Sequence, residues 1–324
     1  MRDRPILLGS IVVVLAASGF GLLGPLARFA YEAGFAPLSF VAWRALFGLA
    51  VIAVLVAVGV RRGQSLVNPL RLPRGDGLGL LVIAVAGFGL NVAMFFAFDV
   101  TTVALALLAF YTYPALVAVV AVVLGHERLD ATRWLALVLA VGGMALVVAG
   151  GSGTGGSTVS IVPLGLLLGF IAGIWQTIFV TVSRGRFLTV PAEQATAWVL
   201  LFATTATATL ALIVGDPLDL PLHEPRALVL AAFTGVAAAG VPSVLFLVGI
   251  RLIGGTRAGI LMLFEPVVGV TLAAILLREA LLPAQALGGV AILGAALLIQ
   301  RSSTGEVVEP AAAPLSAGDL DFRR

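Results

Sequence analysis

The chain has 324 residues, of which 60% are hydrophobic and only 11% charged, with a formal net charge of +3. With a mean hydropathy of +1.15, this composition excludes a soluble domain and is typical of a protein that folds in lipid. The chain has no cysteine and its 19 basic residues are all arginine, which excludes disulfides, Schiff-base chemistry and a Walker phosphate loop.

Apolar stretches of about 20 residues, long enough to cross about 30 Å of hydrocarbon, predict an all-α membrane protein with ten transmembrane helices. In chain order they lie near residues 6–27, 37–60, 77–98, 100–124, 131–149, 161–183, 192–214, 227–250, 257–277 and 283–300. The first stretch follows Arg2 and Arg4. It is too long for a signal peptide, so we expect it to remain in the mature protein.

Two polar segments separate or follow the apolar stretches. Residues 150–160 are rich in Gly, Ser and Thr and predict a flexible linker, since a phosphate-binding loop would need a lysine. Residues 301–324 are rich in Ala, Pro, Glu and Asp and predict a disordered cytoplasmic tail.

The arginines predict the orientation of the chain. With a cytoplasmic amino terminus, inner loops and helix ends would hold thirteen arginines, whereas outer loops would hold only Arg28, Arg226 and Arg278. Because basic residues are retained on the cytoplasmic side, we expect both termini to lie in the cytoplasm. The membrane is expected to be the plasma membrane.

An internal repeat divides the chain. Residues 101–147 return as residues 253–299, displaced by 152 positions. The displacement aligns three residue types that are uncommon in apolar segments: Pro114 with Pro266, Glu127 with Glu279, and Gly142 with Gly294. Five spans per half is an odd number, so the second half must begin on the opposite side of the membrane and the repeats must be inverted. Such duplication is typical of secondary transporters.

Two segments carry a resemblance to a known family. The sequences FYTYPALVAVVAVVLGHERL and LFEPVVGVTLAAILLREAL, each followed by a span punctuated by glycine, resemble the paired domains of the EamA family in the drug/metabolite transporter superfamily. The resemblance covers residues 5–300 and implies two inverted five-helix repeats, 5–149 and 161–300, around a central cavity. It also implies export of amino acids and other metabolites or uptake of small solutes, without specifying the substrate.

The paired prolines predict helix kinks. Pro114 and Pro266 lie near the middle of the fourth and ninth spans, where each frees the carbonyl four residues earlier. Broken helices at equivalent positions of inverted halves indicate a substrate site, although a proline can also simply curve a helix. Pro242 has no counterpart in the first half and is expected to serve packing.

Two charged residues lie at membrane depth. Glu265 is about 12 Å into its span and Arg44 about 10 Å from the outer end of its span, at 1.5 Å per residue. Glu265 could contact a substrate ammonium or carry a proton, or it could be a hydrogen-bonded carboxyl that satisfies a neighbouring helix. Arg44 could bind a substrate carboxylate, pair with Glu265, or extend toward the outer headgroups.

Glu127 and Glu279 lie at span ends. We expect them to cap the fifth and tenth helices, with a gating salt bridge to Arg128 or Arg278 as the alternative.

Further polar and aromatic residues could line the cavity or pack between helices. Asn91 and Phe95 share one face of the third span because they are four residues apart. The other candidates are Tyr111, Trp175, Gln176 and Ser243. Glycines of the fifth and tenth spans, among them Gly142, Gly143, Gly288, Gly289 and Gly294, predict close helix contact within a monomer or at a homodimer seam.

These features favour a secondary transporter of a small molecule that works by alternating access without ATP. An intramembrane enzyme is disfavoured because His126 and His223 fall on opposite faces and no metal or nucleophile motif exists, so neither metal nor cofactor is expected. A structural or sensory membrane protein is the third alternative. Nucleic-acid binding is not supported, because the arginines follow topology and form no basic patch.

Overall fold

The computed structural model describes residues 3–124, 131–150, 163–183, 190–253, 258, 261–279 and 281–302. Regular structure in these ranges is entirely helical. Glu127, Arg128, His126, residues 151–160 of the predicted linker and residues 303–324 of the predicted tail lie outside the described residues.

Within the described residues, the first half contains seven α-helices and a short 3-10 helix at Pro69–Arg71. The α-helices are α1 (Asp3–Gly21), α2 (Leu23–Glu32), α3 (Pro37–Arg61), α4 (Arg74–Val100), α5 (Val103–Phe110), α6 (Tyr113–Val123) and α7 (Ala131–Gly150). The second half contains α8 (Pro163–Ser183), α9 (Ala192–Val214), α10 (Leu220–His223), α11 (Pro225–Gly235), α12 (Val241–Ile253), α13 (Phe264–Leu276) and α14 (Pro283–Ser302). A π-helix at Val236–Gly240 joins α11 to α12.

Seven of the described helical stretches are long and apolar enough to cross a membrane, with α1–α2, α5–α6 and α11–α12 each counted as one. Shorter apolar helices at Trp134–Leu146, Phe264–Leu276 and Pro283–Leu298 occupy the remaining predicted segments. The helical fold is therefore confirmed, whereas the number of ten crossings stays a prediction.

The helices pack in pairs, and a shift of 152 residues turns each pair into another packed pair or into itself. α4 runs along α8, and the counterparts of these two helices, α12 and α1, also run along each other. α3 pairs with α9 and α7 with α14, and each of these pairs joins a helix to its own counterpart. The duplication visible in the sequence is thus matched by the packing.

Breaks interrupt both proline-containing spans at the predicted positions. α5 ends at Phe110 and α6 begins at Tyr113, so that Pro114 lies in the first turn of α6. In the second half a turn at Leu263 precedes α13, whose first turn contains Pro266. Proline tolerates this position because the first amides of a helix have no partner within that helix.

The first span differs from the prediction. It extends to Glu32 instead of residue 27 and is broken at Leu22. Pro25 explains the break, because it cannot donate an amide hydrogen bond to the carbonyl of Gly21. Pro242 packs as predicted: a Cβ added to Gly19 would lie 2.4 Å from the Pro242 Cγ.

Glu279 caps a helix, but it caps α5 and not the tenth span as predicted. Its carboxylate accepts hydrogen bonds from the amides of Val103 (2.9 Å) and Ala104 (3.2 Å), at the start of α5 in the other half. The tenth span is capped by Gln285, whose Oε1 accepts from the Leu282 amide at 2.9 Å.

The glycines predicted to make close helix contacts differ in their surroundings. A Cβ on Gly143 would lie 2.6 Å from the Gly288 carbonyl oxygen, so close contact within the monomer explains this glycine. Gly142 and Gly294 have no neighbour within 4 Å of an added Cβ.

Candidate functional site

Arg44 lies inside the helix bundle. Its side chain on α3 belongs to a residue only 6% exposed, so extension toward the headgroups is wrong. Nη2 donates to Oδ1 of Asn91, and the guanidinium carbon is 4.4 Å from the centre of the Phe95 ring. The predicted shared face of Asn91 and Phe95 therefore meets the cation. The Arg44 Nε has no hydrogen-bond partner.

Asn91 orients the arginine. Its Oδ1 accepts from Arg44, while its Nδ2 donates to the Gly87 carbonyl oxygen at 2.7 Å within α4. Both polar groups of the amide are engaged. Asn91 therefore holds the Arg44 side chain against α4.

Tyr31 belongs to the same cluster and was not among the sequence candidates. Its hydroxyl donates to the Phe95 carbonyl oxygen at 2.8 Å, and its ring lies 6.1 Å from that of Phe40. Phe40 in turn lies 5.8 Å from Phe95. The signal was missed because the first span was predicted to end at residue 27.

Glu265 faces the other half of the chain. The carboxyl, at the start of α13, lies close to the Tyr111 side chain, which follows the end of α5. Tyr111 is buried, whereas Glu265 is half-buried. The two roles expected for Glu265, a substrate or proton contact and a carboxyl that satisfies a neighbouring helix, both stay predictions.

Arg44 and Glu265 do not form an ion pair. An ion pair in the described ranges joins His223 and Asp219 instead, at 3.6 Å, and both of these side chains are exposed. The predicted pairing of the two membrane-embedded charges is thus wrong, and each has its own set of neighbours.

Three aromatic rings gather where α5 breaks. The rings of Phe110, Tyr111 and Tyr113 lie 5.2 to 5.8 Å apart. Of these three residues, Tyr111 is the one that lies close to the Glu265 carboxyl.

The remaining candidates contact their own helix or a neighbouring one. The Ser243 hydroxyl donates to the Ala239 carbonyl oxygen at 2.8 Å. Trp175 packs over Gly89, where an added Cβ would come within 2.5 Å of the indole ring. Gln176 follows Trp175 on α8 and is half-buried. In the described part of the chain, no hydrogen bond joins these three side chains to Arg44 or Glu265.

Glycines of α8 hold α5 close. A Cβ on Gly165 would lie 2.4 Å from Thr101, and one on Gly169 would lie 2.8 Å from the Ala106 carbonyl oxygen. Residues four apart share one helix face, so this small face lets the backbone of α5 approach α8.

Two apolar clefts lie apart from these polar groups. The larger, about 470 Å³, is lined by residues of α1, α13 and α14 that include Phe264 and Gly294. The smaller, about 220 Å³, lies between α3 and α9 and includes Trp198. Neither is lined by Arg44 or Glu265, so the expected central cavity is neither of these two clefts.

Comparison with known proteins agrees with the duplication. The sequence model of the EamA-like transporter family matches the chain twice, at residues 7–149 and 163–301. One solved structure, described only as a crystal structure of a protein, shares the fold with a TM-score of 0.58 and 22% identity over 94% of this chain and 100% of its own. No curated protein matches the chain. The two family matches span most of the sequence, so the chain belongs to the EamA-like transporter family of the drug/metabolite transporter superfamily and is a multi-pass membrane protein.

Proposed function

We propose that the chain is a secondary transporter that exports amino acids or related zwitterionic metabolites across the plasma membrane. One observation carries this proposal: a buried cation in the first half and a carboxyl in the second half, with no ion pair between them. A zwitterion presents the complement of both groups.

In this proposal the guanidinium of Arg44 binds the carboxylate of the substrate. A guanidinium has five N–H donors, and the structure gives Nε no partner while Asn91 occupies Nη2. A buried charge without a counter-ion is costly, so a carboxylate ligand would recover free energy that the empty protein lacks. Phe95 covers one face of the cation and fixes its plane.

In this proposal the carboxylate of Glu265 binds the ammonium group of the substrate. Its carboxyl lies close to Tyr111, whose ring is 5.8 Å from that of Tyr113, and aromatic faces also attract cations. Coupling to protons is compatible with this arrangement, because a carboxylate that loses its ammonium partner can take up a proton instead.

Alternating access without ATP fits the architecture. Inverted repeats with helices broken near the membrane midplane allow one group of helices to rock against another around a fixed site. With the arginine distribution described above, both termini would face the cytoplasm.

Uptake of a neutral solute such as a purine or sugar is the second candidate. The three aromatic rings at the break after α5 favour it, because flat rings and sugar faces stack on aromatic side chains. Such a substrate would leave Arg44 without a counter-ion.

Flux measurements in proteoliposomes distinguish these functions. A panel of amino acids, purines and sugars should be tested with and without an imposed pH gradient. Export of zwitterions is supported by flux of amino acids alone. Flux of purines or sugars alone would replace it with the second candidate, and absence of flux for every compound would contradict the transporter proposal.

A further inference from the structure

The turn between α4 and α5 is held from both sides by charged residues. Arg28, on α2, donates from Nη1 to the carbonyl oxygens of Phe98 (3.1 Å) and Asp99 (3.2 Å), at the end of α4. Glu279 accepts from the amides of Val103 and Ala104, at the start of α5. Each charge matches the helix end it meets, since carbonyls accumulate negative charge at a carboxyl terminus and amides positive charge at an amino terminus.

These contacts complete the amino terminus of α5. The Thr102 hydroxyl accepts from the Leu105 amide at 3.3 Å, and the Thr102 carbonyl accepts from the Ala106 amide at 3.0 Å. With Glu279 on the two preceding amides, the whole first turn has partners. A helix start buried without such partners is unfavourable, so α5 depends on Glu279 for its present position.

Arg28 and Glu279 lie on or next to helices other than α4 and α5, which the turn connects. α4 and α5 pack on α8, and α1 packs on α12 and α13, while α2 also contacts α4 and α13 also contacts α5. Arg28 lies on α2, the helix that follows α1, and Glu279 lies just after the end of α13. The two contacts therefore lie where α2 meets α4 and where α13 meets α5.

We propose that Arg28 and Glu279 form a clamp on this turn that keeps the transporter closed on the side predicted to be outer. Opening on that side separates α5 from α13 and must break both contacts. The Tyr111 contact with Glu265 lies at the other end of α5, so the clamp and the candidate site hold the same eight-residue helix at its two ends. The consequence for transport rests on the proposed alternating access.

A cysteine reporter tests the clamp without a substrate. Leu107 is 7% exposed and lies between α5 and α13, where a Cβ on Gly269 would be 2.7 Å from its Cδ1. Leu107→Cys creates a unique thiol, because the chain has no cysteine. An impermeant maleimide is added on the side from which a His223→Cys protein is labelled, and the labelling rate of Leu107→Cys is measured.

Adding Glu279→Gln should raise that rate about five- to thirty-fold, the population change expected when one helix-end charge is lost. Arg28→Gln should act in the same direction. Asp219→Asn is the matched control and should leave the rate unchanged, because Asp219 is exposed in a loop predicted to be outer and its carboxylate pairs with His223, which is not part of the clamp.

Unchanged labelling in both clamp variants, with protein that remains monodisperse, overturns the proposal. If Glu279→Gln does not fold, Arg28→Gln decides alone. Failure of the proposed function is distinguishable: faster labelling in a protein without amino-acid flux leaves the clamp standing and removes the substrate assignment.

Discussion

Gly21 in α1 and Gly173 in α8 are 152 residues apart in the sequence, and each lies against the broken span of the opposite half. A Cβ on Gly21 would be 3.0 Å from the Glu265 carbonyl oxygen, and one on Gly173 would be 3.0 Å from the Phe110 carbonyl oxygen. Backbone therefore approaches backbone at both breaks, which extends the duplication beyond the repeat recognised in the sequence.

Alanine at either glycine should destabilise the protein. Gly21→Ala and Gly173→Ala each force the facing carbonyl to move, at an expected cost of about 1–3 kcal/mol. Gly142→Ala is the matched control, because an added Cβ there meets nothing within 4 Å and alanine favours helix. The melting temperature of each variant in detergent is the measurement. Equal melting temperatures for all three would show that the close approach carries no energetic weight.

The helices and their breaks could be predicted because their causes are local. Apolar length determines a span, and a proline in the interior of an apolar stretch removes the hydrogen bond to the carbonyl four residues earlier. The shared face of Asn91 and Phe95 also follows from local geometry, since residues four apart lie together.

The site contacts could not be predicted because they join distant residues. The Arg44 contact with Asn91 spans 47 positions and the Glu279 contact with Val103 spans 176. Hydrophobic periodicity contains no information about such pairs. Tyr31 was missed for a related reason: Arg28 and Glu32 lower the local hydropathy, so the first span was ended too early.

Arg44 is expected to be needed for carboxylate substrates. Arg44→Gln should lower amino-acid flux at subsaturating substrate at least about tenfold, the loss expected when a charged hydrogen-bonding partner is removed. Arg62→Gln, at an exposed position just after α3, is the matched control and should leave flux unchanged. Initial rates over a substrate concentration series are measured. Wild-type rates in Arg44→Gln would exclude a carboxylate contact.

Glu265 is expected to make flux depend on pH. Glutamine keeps the size of the side chain but neither carries charge nor titrates, so Glu265→Gln should be slower and insensitive to an imposed pH gradient. Glu32→Gln changes an exposed carboxylate at the end of α2 and should behave as wild type. Full and equally pH-dependent flux in Glu265→Gln would remove the carboxyl from the mechanism.

The predicted topology can be checked with single cysteines. Ser65, between α3 and α4, is expected inside the cell and His223 outside, and both residues are exposed. An impermeant maleimide applied to intact cells should label His223→Cys, whereas Ser65→Cys should react only after permeabilisation. A cysteine at Ser157 tests the linker in the same way and should behave like His223→Cys. The opposite pattern would reverse the orientation.

Substrate analogues that lack one charge test the central claim, that Arg44 and Glu265 hold the two ends of a zwitterion. Transport of an amino acid, its decarboxylated amine and its N-acetylated acid should be compared in proteoliposomes containing wild type, Arg44→Gln or Glu265→Gln. We predict that the amino acid moves fastest in wild type, that Arg44→Gln abolishes its advantage over the amine, and that Glu265→Gln abolishes its advantage over the N-acetylated acid. Equal transport of all three compounds in wild type would contradict the account.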